Sequence, residues 1–256
     1  MDTNVANADC PPALQHRAAH LLRGGAMTLQ TFLAFCRFVA LSGLVACNNY
    51  GLLDKLENPG AGEATEKFTN NYYIFVSSWT TLGAMGGSPY AECNGSTGAA
   101  RADCACTRAA VGRGLRRSGT HVFRAWLSVD GAPGPVQDAR CRVQGLGSCT
   151  TNFPSPWYNT QGQAVVNNFN GFETGTLTIA IRFDEFGVDQ GVNDVWTGTV
   201  VGGTAATTAD CVDWTDMSSG TGRIGNRTFA SNLWTDNGNN TCGNSFRVYC
   251  VASPAF

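Results

Sequence analysis

The chain has 256 residues, 43% of them hydrophobic and only 14% charged, with 31 glycines, 11 cysteines and a net charge of −2. So low a charged fraction disfavours a coiled coil, a helix bundle and a charge-rich disordered chain, and the balanced charge gives no global pull toward nucleic acid. Abundant glycine favours short strands joined by turns, and so many cysteines point to an oxidising compartment.

In chain order, residues 1–26 carry Pro11-Pro12 and a mixed-polarity stretch to Gly24-Gly25. Met27 is a more natural start, which makes 1–26 a mis-assigned beginning; the alternative is a long n-region charged by Arg17 and Arg23. The strongest apolar run, 38–46, is too short for a membrane helix of about 20 residues but suits the h-region of a signal peptide. It ends in Leu44-Val45-Ala46-Cys47, a pattern that resembles a bacterial lipobox. We read 1–46 as a lipoprotein signal peptide and Cys47 as the lipidated residue that ties the chain to a membrane. The Gly- and charge-bearing stretch 47–70, with Pro59, reads as a flexible tether, and 71–256 as the folded domain.

Within that domain, residues 72–76 (Tyr-Tyr-Ile-Phe-Val) read as a strand by aromatic and β-branched content, and 82–98 as loop. Residues 102–115 are the best helix, with Asp103 near the start and arginines toward the end. Residues 123–128 read as a short strand or helical turn, and 130–176 as mostly loop around the apolar 164–166. Strands are expected at 177–183 and 195–201. Further short elements are expected at 212–216, 228–234 and 246–251.

Few residue types that carry chemistry are present. His121 is the only histidine after residue 46; no Gly-x-Ser-x-Gly elbow accompanies it, and a multi-histidine zinc site is excluded. Gly220-Thr-Gly222-Arg-Ile-Gly225 has the spacing of a dinucleotide loop but lacks the strand before and helix after that the mechanism requires. Cys104 and Cys106, two apart on a helix, point about 200° apart and suit two different disulfide partners. Setting aside Cys10, Cys36 and Cys47 leaves an even set, which reads as a disulfide framework whose connectivity sequence alone does not fix. Asp184, Glu185, Asp189 and Asp194 crowd one loop; they are weak candidates for calcium, and Asp184 with Glu185 for a general acid/base pair. Arg108, Arg113, Arg116 and Arg117, with Arg101 and Arg124 nearby, form a basic patch suited to sulfated glycans or anionic surfaces.

Tyr73-Ile-Phe-Val-Ser, Arg101-Ala-Asp-Cys-Ala-Cys106, Ala125-Trp-Leu-Ser, Gln163-Ala-Val-Val-Asn-Asn-Phe, Asp184-Glu-Phe-Gly, Val195-Trp-Thr-Gly-Thr, Asp210-Cys-Val-Asp-Trp-Thr and Tyr249-Cys250 resemble, in this order, an uncharacterised family of spirochaete-type bacterial surface lipoproteins. That family looks like a divergent branch of the C-type-lectin-like and endostatin-like fold. The resemblance implies an α+β domain with short strands, one main helix and a nested cysteine scheme: Cys106–Cys250 and Cys211–Cys242. Cys141 and Cys149 could then close their own loop, and Cys93 and Cys104 are left to pair. The Pro-centred calcium triplet of sugar-binding lectins is absent, and Trp234-Thr-Asp236 has Thr where Asn would stand.

The expected function is therefore that of a non-enzymatic, membrane-anchored module of the cell envelope, on the outer membrane or cell surface. It would bind an extracellular matrix protein or a glycan, without nucleic acid and without a required cofactor. Candidate ligand contacts are Arg108, Arg113, Arg116, Arg117, Trp214, Trp234 and Asp236. The alternatives are a structural envelope lipoprotein with no ligand, and a glycan-acting hydrolase using Asp184 and Glu185.

Overall fold

The computed structural model describes residues 71–115, 122–131, 137–145 and 153–253. The chain divides into two compact units, 1–63 and 64–256, and every described residue belongs to the second. The expected leader, the whole tether with Cys47, Arg116, Arg117, His121 and Cys149 lie outside the described residues. Among the described residues no helix is long and apolar enough to cross a membrane.

The C-terminal strand organises a mixed α+β domain. β8 (Arg247–Ser253) buries all but its first residue, as a strand covered on both faces should. It pairs antiparallel with β1 (Tyr72–Val76) through Ile74–Val251, Phe75–Cys250 and Val76–Tyr249, and with β2 (Val122–Ala125) from Val122–Ser253 to Ala125–Cys250. It pairs parallel with β5 (Asp194–Trp196). The full order is β4 (Ala164–Val166), β3 (Trp157–Tyr158), β1, β8, β5, β6 (Thr221–Asn226), β7 (Gly238–Thr241), with β2 beside β8.

The main helix, α1 (Gly98–Gly112), turns Ala102, Ala105, Cys106, Ala109 and Ala110 inward. These small side chains at helical spacing allow a close approach to the sheet. Two disulfides fix it from opposite sides: Cys93–Cys104 to the 3₁₀ turn Ala91–Gly95, and Cys106–Cys250 to β8. A third, Cys211–Cys242, closes the long-loop region, and Cys141 in the short helix α2 (Ala139–Gln144) is also disulfide-bonded. Another short helix is α3 (Asn170–Glu173).

The core is largely aromatic. Trp126 lies 5.2 Å from Trp234 and 5.6 Å from Phe172, and Trp234 lies 5.5 Å from Tyr249, ring centre to ring centre. Trp196 lies 5.8 Å from Trp214. Gly225 is sterically required: a Cβ there would stand 1.9 Å from the Trp234 carbonyl oxygen.

Several expected strands do not form. Segment 177–183 sends its backbone bonds to unrelated places: Leu177 N to Ala230 O, Thr178 N to Val165 O, and Phe183 O accepting from Val76 N. No single partner is available to make a ladder. The strand expected at 195–201 ends at Trp196, because Thr197 and Gly198 both donate to Arg223 O and Gly198 takes φ +59°. Residues 212–216 fall on a left-handed turn, Cys211–Trp214, whose four residues all have φ between 52° and 62°. Residues 228–234 yield only the 3₁₀ turn Asn232–Trp234.

Candidate functional site

Residues 182–194, which run into the start of β5, form a loop that buries Asp184 and Glu185 and has several backbone groups held by polar side chains. The Asp184 carboxylate accepts the amides of Phe186 at 2.8 Å and Val188 at 2.9 Å on one oxygen, and the Gln190 side-chain amide on the other. The Asp184 carbonyl accepts the Thr160 hydroxyl at 2.8 Å, and the Gly187 carbonyl accepts the Gln161 side chain at 2.6 Å. Arg182 pairs with Asp189 at 2.6 Å. Glu185 reaches in the other direction, accepting both the hydroxyl and the amide of Ser78 just beyond β1.

Beneath the loop lies Arg227, only 2% exposed. Its guanidinium donates to the carbonyls of Gln190 at 2.5 Å and Gly191 at 3.0 Å, while Nη1 has no hydrogen-bond partner. Burial and then the neighbouring Arg247 lower its pKa. Burial likewise raises the pKa of Glu185, against the bonds from Ser78 that lower it. A buried guanidinium is costly, and here it joins the rest of the domain to two loop carbonyls that would otherwise lack donors.

On this base stand three exposed apolar side chains: Phe186 at 51%, Val188 at 55% and Val192 at 77% exposure. The Arg113 guanidinium, at the end of α1, lies 3.5 Å over the Phe186 ring, a cation–π contact that fixes the ring from one side. The bonds to Asp184 and the Arg113 contact thus hold the loop around Phe186 and Val188.

The other expected site residues scatter. Trp214 and Trp234 are fully buried. Trp214 donates to Ser128 O at 2.8 Å, and Trp234 packs in the aromatic core. The expectation that either meets a ligand is corrected: in this fold large apolar rings in the long loops fill the interior. Asp236 is engaged with Arg223 and with the Val201 amide. Arg108 pairs with Glu92 at 3.1 Å on the surface, and Arg101 donates to the carbonyls of Ser96 and Asn94. The basic patch is thus divided: Arg108 and Arg124 line a groove between α1 and β2, and Arg113 faces the loop.

The expected calcium set does not assemble. Asp184 and Glu185 already accept chain donors on both oxygens, Asp189 is paired, and Asp194 accepts Asn226 and Asn237. The triple of acidic groups that does converge among the described residues is Asp130, Asp210 and Asp213, with ligand atoms within 4.8 Å of one another. Its carboxylates clamp the left-handed turn. Asp210 accepts the amides of Asp130 at 2.8 Å and Asp213 at 3.2 Å, and Asp130 accepts Thr208 N at 2.7 Å. Burial and the Asp210 carboxylate push the Asp213 pKa up to about 6.

Sequence reading missed Ser78, Phe186, Val188, Val192 and Arg227. Three apolar residues inside an acidic turn were a signal for the tip. Nothing local marked Arg227. No protein-family model matches the chain, and no curated protein matches it.

Proposed function

We propose that this protein is a binding module of the cell envelope that engages an extracellular protein partner through the 182–194 loop. The observation that carries this reading is the exposure of Phe186, Val188 and Val192 on a backbone held by Asp184, Glu185 and Arg227. Apolar groups left in water gain free energy when covered, about 25 cal/mol per Å². A loop already ordered avoids most of the entropy cost of binding. Aromatic and Arg side chains at the centre of such a tip are the types that dominate interface energetics. The lipobox-like Cys47 supports a lipid-anchored position at the cell surface. The ordered motifs, the main helix and the disulfides Cys106–Cys250 and Cys211–Cys242 support a C-type-lectin-like fold. A non-enzymatic role fits Asp184 and Glu185, whose carboxylate oxygens are occupied by the chain itself.

The test is an array of purified extracellular matrix proteins probed with the full chain and with the double variant Phe186→Ser, Val188→Ser. At least one ligand should bind the wild type and lose about tenfold or more in affinity with the variant, with Tm unchanged. Equal binding by both, or no protein ligand, overturns the reading.

A further inference from the structure

A groove away from the 182–194 loop lies on different elements. The helix α1 and the strand β2 flank a shallow, open groove of about 500 Å³. Its walls are fixed, because α1 is stapled by Cys93–Cys104 and Cys106–Cys250 while β2 is paired to β8. Val111 from the helix and Val122 from the strand line it, 44% and 41% exposed. Arg108 stands on the helix side and Arg124 on the strand side.

The charge balance in this groove is positive. Asp103 is neutralised, with one oxygen on the Ala125 amide at 2.8 Å and the other on Arg142 at 2.7 Å. Arg124 donates to the Arg142 carbonyl at 2.9 Å and has no carboxylate partner among the described residues. Among the described residues Arg108 is held by the half-exposed Glu92 alone, a surface pair worth little and easily exchanged. Two cations with spare donors therefore flank an apolar floor.

The groove does not suit an extended peptide. Peptides that add to a strand edge gain affinity by pairing with its free backbone groups. Here the Phe123 carbonyl already accepts the Thr107 hydroxyl at 2.8 Å, and the Ala125 amide is held by Asp103. A ligand must instead place anionic groups on the two guanidinium forks and a C–H-rich body between the valines. We propose that this groove binds an anionic oligosaccharide, bearing sulfate or uronate groups, at Arg108 and Arg124. The site is separate from the 182–194 loop and does not depend on that loop's role.

The test uses the full chain, a heparin-derived hexasaccharide and a poly-glutamate peptide of equal charge. Wild type should bind the saccharide at 50 mM NaCl and lose about tenfold or more in affinity at 500 mM. Arg108→Gln and Arg124→Gln should each weaken binding about tenfold, and Arg124→Lys less, since the charge stays while the fork is lost. Val111→Asp, on an exposed wall, should abolish binding while lowering Tm only slightly, as an acidic side chain in a helix's last turn does, and keeps the test decisive if an arginine variant folds poorly. Absence of saccharide binding at 50 mM NaCl, unchanged affinity in the folded variants, or preference for the peptide would each overturn the proposal. Loss of loop-dependent protein binding with saccharide binding intact would sink only the loop reading.

Discussion

The Glu185 carboxylate accepts the Ser78 hydroxyl at 2.5 Å and the Ser78 amide at 2.9 Å, joining residues 107 positions apart. This one side chain ties the exposed loop to the end of the central sheet. Burial raises its pKa above its ordinary value, so folding favours the protonated form. The stability it contributes is therefore present below the unfolded pKa, and is lost as pH rises through the higher folded value.

Replacing Glu185 separates its charge from its hydrogen bonds. Glu185→Gln keeps a side chain that can bond Ser78 and removes the buried charge. Its stability at pH 7 should lie within about 1 kcal/mol of wild type. Glu185→Ala leaves the Ser78 amide without a partner and should cost about 1–3 kcal/mol. Denaturant titrations of both variants at pH 4.5 and pH 7 check this. A loss in Glu185→Gln as large as in Glu185→Ala would contradict it.

Asp213 supplies a second pH signature. Its pKa is pushed from 3.8 up to about 6, first by burial and then by Asp210, with Asp130 adding to the shift. The sign is the same as for Glu185: stability from this group is complete below about pH 3.8 and declines as pH rises through 6. Other carboxyls act oppositely; bonds from Ser219 and Ser218 lower the pKa of Asp216. The informative quantity is thus the difference between wild type and Asp213→Asn. The variant's Tm should gain on that of wild type between pH 4 and pH 7, and a constant difference across that range would refute the assignment.

The Cys106–Cys250 bond closes a loop of 144 residues and joins α1 to the most buried strand. Removing both sulfurs with Cys106→Ala, Cys250→Ala should cost about 2–5 kcal/mol. Chemical denaturation of the non-reduced variant, with the other bonds intact by mass spectrometry, measures this.

The elements legible in sequence were those with one dominant local signal. Tyr72–Val76 and Arg247–Ser253 are apolar runs, and both are strands. The alanine-rich helix was recognised but begins earlier than expected, at Gly98. The Cys104/Cys106 spacing on that helix indicated two partners, and the structure supplies Cys93 and Cys250. Elements decided by tertiary contacts were illegible. β6 and β7 are built from Gly, Asn, Thr and Arg, which resemble turn composition, and they form by pairing with each other and β5. The left-handed turn at Cys211–Trp214 violates local preference at four residues and is held by the Cys242 disulfide, the buried Trp214 and the Asp210 carboxylate. The 182–194 loop was half legible. Its acidic residues drew attention as metal or catalytic groups, but they serve to fix the backbone, and the neighbouring apolar residues are what the loop presents.

Native-state hydrogen exchange of the Phe186 and Val188 amides in the full chain tests the central claim, a loop ordered before binding, most directly. Both amides donate to Asp184, so they should exchange several hundred-fold or more slower than unstructured peptide, on the order of 4 kcal/mol of protection, and lose protection in Asp184→Ala. Exchange at the unstructured rate in wild type would contradict the account.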